Sequence, residues 1–135
     1  MKSFILSIVF LAAFQYAAAQ KEYALLVIDV QDFYFPGGRS ELVEPEKAAE
    51  KAAVAIREAR EAGNPVIFIQ HKSASGMEIN KLITPRPGEQ IFVKEEVNSF
   101  MGTGLKEYLD SLQVDTLVIC GMQTQMCVEA AVRAA

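Results

Sequence analysis

Asp29, His71, Lys94 and Cys127 each stand at or shortly past the end of a short apolar run, and together they could carry out covalent hydrolysis. A thiol is a nucleophile, a carboxylate can take its proton, and an ammonium can hold both and steady the charge that develops. Each residue alone has a plainer reading. A buried cysteine is commonly a small hydrophobe, and Cys120 is read that way. Asp29 interrupts "LLVIDVQ", where a carboxylate is costly unless paired. A lysine at a strand end is usually solvated, and a single histidine says little. Their arrival at one rim is what gives the set meaning. A helix start near Met126 and a nearby ammonium would lower the pKa of Cys127. Asp29, as a base, should have its pKa raised toward neutrality, which a pocket lined by Phe33, Tyr34 and Phe35 would favour.

The elements that must position these groups alternate along the chain. "YALLVIDV" (Tyr23–Val30), "PVIFIQ" (Pro65–Gln70), "IFVK" (Ile91–Lys94) and "TLVICG" (Thr116–Gly121) read as strands. Their apolarity is continuous rather than alternating, as for strands covered on both faces. A helix follows the first, with Pro45 in its opening turn, an apolar face of Ala49, Ala52, Ala53, Ile56 and Ala59, and Gly63 at its end. "GTGLKEYLDSLQV" predicts a second, with Leu105, Leu109 and Leu112 on one side. A third runs from near Met126 to Ala135. This alternation predicts an α/β protein, a parallel sheet with helices on both faces in three α/β/α layers. The sequence stops after the fourth strand and its helix, which predicts a domain incomplete at its C-terminus. In such sheets the site lies beyond the carboxyl ends of the strands. The long polar segment after the second strand, "HKSASGMEINKLITPRPGEQ", has the length of a site loop.

Composition narrows the function further. The chain has 135 residues, 13 Lys+Arg against 17 Asp+Glu, and no Trp. Its net charge of −4 without a basic cluster argues against nucleic acid. Lys2, the apolar "FILSIVFLAAF" and the small residues of "YAAAQ" predict a signal peptide over residues 1–19, cleaved after Ala19. Export to the periplasm or medium follows, with no membrane contact once the signal is removed. The mature domain would then span residues 20–135. The two cysteines have no zinc spacing. A disulfide is permissible in an exported protein, but pairing Cys120 with Cys127 is geometrically awkward.

Three motifs resemble those of the isochorismatase-like cysteine hydrolases, a family that includes nicotinamidases, isochorismatases and several carbamoyl or amide hydrolases. "LLVIDVQDFYFPGG" is similar to the family's first strand and site loop. "FVKEEVNSFMGTGL" resembles its lysine segment and Ser-Phe-x-Gly-Thr-x-Leu helix start. "VICGMQTQMCVEAAVRAA" resembles its nucleophile turn, Gly-x-x-Thr-x-x-Cys-Val. The resemblance spans Tyr23 to Ala135. It implies Cys127 as nucleophile, Asp29 as general base and Lys94 as third member of a triad. A cis peptide would fall at Met122–Gln123 and aim the N–H groups of Gln123 and Cys127 at a substrate oxygen. Gln31 would line the pocket, Tyr34 would stand at its entry, and His71 could touch the substrate. The resemblance implies a six-stranded parallel sheet, Rossmann-like in its three-layer α/β/α winding, and members of the family commonly form dimers or tetramers, so a homo-oligomer is expected.

One departure concerns metal. Nicotinamidases hold an ion with Asp-x-His after the second strand and further histidines, whereas this chain reads "HKS" there and His71 is its one histidine. Neither a metal nor another cofactor is expected. The function implied is hydrolysis of a small-molecule amide or carbamoyl C–N bond through a thioester. The alternatives are an isochorismatase-type vinyl-ether hydrolase, or an inactive secreted fragment that self-associates through an open sheet edge.

Overall fold

The computed structural model describes residues 21–135, so the expected signal segment lies outside the described residues. Four parallel strands, β1 (Ala24–Ile28), β2 (Val66–His71), β3 (Gln90–Lys94) and β4 (Leu117–Gly121), form one sheet in the order β3-β2-β1-β4. The three helices are α1 (Pro45–Glu61), α2 (Leu105–Leu112) and α3 (Glu129–Ala134). Among the described residues no helix is long and apolar enough to cross a membrane.

The three-layer reading holds. In a parallel sheet successive side chains go to opposite faces. Leu25 and Val27 of β1 and Phe68 of β2 therefore pack with Ala49, Ala52, Ile56 and Ala59 of α1. Leu26 and Ile28, with Ile67 and Ile69, pack on the other side with Leu105 of α2 and Ala131 of α3. The predicted face of α1 is the one buried, except that Ala53 is only half-covered. Pro45 occupies its first turn, where a missing N–H costs nothing.

Three expectations need correction. Only β1 and β2 are covered on both faces. β3 and β4 are the edge strands, and Ile91, Val93 and Val118 are exposed. Cys120, on edge strand β4, is accordingly half-buried rather than enclosed. The third helix also begins later than its pattern suggests. Thr124–Val128 forms a single turn of π-helix, and α3 starts only at Glu129.

The chain leaves β1 at the middle of the sheet, builds outward through β2 and β3, and returns to β4 on the other side of β1. The direction reverses between β1 and β4, which is where open α/β sheets form their binding crevice. Asp29 and Cys127 follow those two strands.

Candidate active site

Asp29 follows β1 directly, in the left-handed region at φ 53, which a non-glycine residue seldom adopts but Asp tolerates better than most. Its N–H is held by the Ile69 carbonyl at 3.0 Å, so the turn is fixed by β2. A residue kept in such a conformation is a reason to look for function. The side chain is wholly buried.

Lys94 ends β3 and is 1% exposed, so it is not the solvated lysine its position would normally suggest. β2 lies between β3 and β1, and the lysine stem must cross the end of β2 to reach Asp29. It does so. Its Nζ is 2.9 Å from Asp29 Oδ2, 3.0 Å from His71 Nδ1, 3.1 Å from the Glu96 carbonyl oxygen and 3.2 Å from Cys127 Sγ. An ammonium has three hydrogens, and they go to His71 Nδ1, the Glu96 carbonyl and Cys127 Sγ, while the Asp29 carboxylate is held as an ion pair.

Cys127 is held by the turn after β4. Gly121 makes that turn possible: a Cβ there would lie 2.0 Å from the Ile28 carbonyl oxygen, and its φ is +136. The Met122 N–H then donates to the same Ile28 oxygen at 2.8 Å, and the Met122–Gln123 peptide is cis, at the position the family pattern implies. Met122 is buried, and the Gln123 N–H has no hydrogen-bond acceptor among the described residues. The thiol sits inside the π-turn with 5% of its residue exposed. It therefore lies in the π-turn, two residues before the α-helix proper begins at Glu129.

The electrostatics follow from burial. Burial raises the Asp29 pKa above its ordinary 3.8, and the attraction of Lys94 only partly offsets this. The Cys127 thiol is pushed up to about 11 by burial and by the neighbouring Asp29 charge, with Lys94 opposing. The expectation of a lowered thiol pKa is thus wrong in sign. Loss of water and a carboxylate neighbour outweigh one ammonium. The resting sulfur carries its proton beside a lysine-held carboxyl group, neither of whose oxygens has a hydrogen-bond partner among the described residues.

Asp29, His71 and Cys127 each offer a ligand atom within 4.8 Å of the others. The Lys94 ammonium, in contact with all three, supplies the positive charge at the place a metal ion would take. His71 is therefore part of the cluster rather than a loop residue. Burial and the adjacent ammonium lower its pKa. Its Nδ1 accepts from Lys94, which leaves the ring proton on Nε2.

The remaining residues divide. Tyr34 is buried, packed against Phe33 with ring centroids 4.3 Å apart and the rings tilted by 56°. Burial, then the charges of Cys127 and Asp29, push its hydroxyl to about 12, so it stays a neutral donor near the cluster. Phe33 and Phe35 are buried with it. Gln31 is wholly buried. Its amide donates to the carbonyls of His71 (3.0 Å) and Met77 (2.6 Å) and accepts the His71 N–H at 2.7 Å. A cleft of about 250 Å³, lined in part by Leu42, Val43, Met122 and Gln123, opens beside the turn that follows β4. Sequence reasoning missed the Glu96 carbonyl as a partner of Lys94, since any residue type offers that oxygen.

The model of the isochorismatase domain matches residues 23–135. The chain belongs to the isochorismatase family. Members of this family are hydrolases, including amidohydrolases that act on C–N bonds. An isochorismatase family protein of Bacillus subtilis, YddQ, is 41% identical over 123 residues, covering 83% of this chain and 68% of its own. Streptothricin hydrolase of Streptomyces noursei is 32% identical over 121 residues, covering 83% of this chain but only 44% of that enzyme. The crystal structure of N-carbamoylsarcosine amidase from Thermoplasma acidophilum superposes with a TM-score of 0.78 at 26% identity, over 84% of this chain and 75% of that one. The isochorismatase-family sheet and its topological crevice thus account for the fold seen here.

Proposed function

We propose that this chain is a cysteine hydrolase acting on the amide or carbamoyl C–N bond of a small molecule, with Cys127, Asp29 and Lys94 as its catalytic triad. The reading rests on one observation: a single buried ammonium touches both the carboxylate (2.9 Å) and the thiol (3.2 Å) at the crevice of the sheet. Burying two ions costs several kcal/mol each, so such a pair is poor evidence for stability alone. An adjoining nucleophile supplies a use for it. The similarity to streptothricin hydrolase and to N-carbamoylsarcosine amidase supports the C–N bond as the target.

In the proposed reaction the Asp29 carboxylate takes the thiol proton as sulfur attacks the carbonyl carbon. Because burial and the Asp29 charge push the thiol up to about 11, proton transfer and attack are coupled. The oxyanion of the tetrahedral intermediate is received by the N–H groups of Gln123 and Cys127. Asp29 returns its proton to the nitrogen, the C–N bond breaks, and ammonia or an amine leaves a thioester on Cys127. Water then attacks, giving one proton to Asp29. The C–S bond breaks, the acid departs, and the sulfur recovers the proton. Lys94 balances the negative charge on Asp29 or sulfur at each stage.

The test is Cys127→Ala, with ammonia release measured across small amides and carbamoyl compounds. Turnover should disappear. Undiminished turnover would end the covalent reading.

A further inference from the structure

The mechanism above leaves one group in the cluster unused. His71 is the register partner of Lys94 across the β2–β3 ladder, and the lysine crosses the end of β2 on its way to Asp29. The ring meets it there, with Nδ1 3.0 Å from Nζ. The histidine itself is anchored. Gln31, wholly buried, receives the His71 N–H at 2.7 Å and donates to its carbonyl at 3.0 Å, as a neighbouring strand would. The position of the ring is therefore tied through Gln31 to the segment that carries Asp29.

We propose that His71 is a positioning residue of this site: anchored by Gln31, it holds the Lys94 ammonium through Nδ1 and so fixes how that ammonium is shared between Asp29 and Cys127. The proposal rests on the reading of Cys127 as the nucleophile. The three ammonium hydrogens go to His71, the Glu96 carbonyl and Cys127, and the Asp29 carboxylate competes for them as an ion-pair partner at 2.9 Å. With Nδ1 gone, the carboxylate, whose charge is the more concentrated, draws the ammonium toward itself, and the sulfur contact, longest at 3.2 Å, is the one lost. A proton on Nδ1 would have the same effect, by setting two cations face to face. The charged groups facing the ring are Lys94 on β3, Asp29 after β1, Arg39 in the loop before α1 and Glu96 after β3.

The test compares His71→Asn, whose Oδ1 can accept where Nδ1 did, with His71→Leu, which cannot. Both keep the backbone that Gln31 binds. The readout is alkylation of Cys127 by iodoacetamide, followed by mass spectrometry on the full chain from about pH 5 to 9. In the unmodified protein, log rate against pH should bend downward below the ordinary histidine range, near 6.5. His71→Asn should keep the neutral-pH rate and lose the bend. His71→Leu should be slower by about threefold or more at every pH, a change of half a pKa unit. Equal rates in the two variants, or the same bend in His71→Asn, would overturn the proposal. Alkylation needs no turnover, so this result is separate from that of Cys127→Ala on hydrolysis.

Discussion

Lys94 Nζ stands 2.9 Å from Asp29 Oδ2 with neither side chain exposed. Removing one partner of such a pair leaves an uncompensated buried charge, at a cost of about 3–5 kcal/mol. Lys94→Met should therefore lower stability by about that amount in urea denaturation and abolish hydrolysis. The double variant Lys94→Met/Asp29→Asn should recover most of the stability and none of the activity, since the two sites are in contact and do not add. A double variant as unstable as the sum of the two singles would show that the ion pair is not the cause.

The raised pKa of Asp29 sets the acid side of the pH profile. Only the ionised carboxylate can accept the thiol proton, so activity should fall as Asp29 protonates, with a midpoint above the ordinary 3.8. The same shift has a stability consequence. Because the folded-state pKa lies above the unfolded one, Asp29 favours the fold most below pH 3.8, and that contribution disappears as pH rises through the folded value. Asp29→Asn, which cannot ionise, should remove both effects. A midpoint at or below 3.8 in the rate of ammonia release would contradict the assignment.

Gln31 makes three side-chain hydrogen bonds, to His71 N–H, His71 C=O and Met77 C=O, at 2.7, 3.0 and 2.6 Å. Gln31→Leu would leave the His71 groups unpaired in a largely dry setting, at about 1–3 kcal/mol for each buried group stranded. Stability should fall by about 2–4 kcal/mol in denaturant, and proteolysis should begin in the segment 72–80. If stability is unchanged while substrate affinity falls, Gln31 faces the pocket after all.

The sequence exposed the strands and their reactive ends because β1 and β2 are buried on both faces and each run stops at a polar side chain. Asp29, Lys94 and Cys127 were legible for that reason. Gln31 was not, because its partners lie 40 and 46 residues away and an amide has no spacing signature. The π-turn at Thr124–Val128 was hidden because its residues fit a helical pattern as well. The sign of the Cys127 shift was misjudged because local neighbours can be read from a chain, whereas loss of water depends on everything packed around it. Cys120 was placed too deep for the opposite reason: an apolar run does not reveal that its strand is an edge.

Arg60, in the last turn of α1, grips Glu89 just ahead of β3 through two contacts of 2.7 Å. The two side chains are 17% and 14% exposed. Arg60 also reaches the Thr84 carbonyl at 3.2 Å, and Glu89 accepts the Arg86 N–H at 2.7 Å, so the pair closes the end of the loop that leads from β2 to β3 and Lys94. Burial alone would raise the Glu89 pKa, but the Arg60 guanidinium and the Arg86 N–H outweigh it and hold the carboxyl below its ordinary 4.5. The folded-state value is thus depressed. The stabilisation is fully present above pH 4.5 and is lost as pH falls through the folded value. Arg60→Ala should cost about 1.5–3 kcal/mol at neutral pH, the worth of a charge-assisted hydrogen-bonded pair shielded from water. The deficit should shrink as the denaturation is repeated at increasingly acid pH, because Glu89 then protonates in both proteins and the guanidinium has no anion to hold. A deficit that stays constant down to acid pH would mean that Arg60 acts by packing alone.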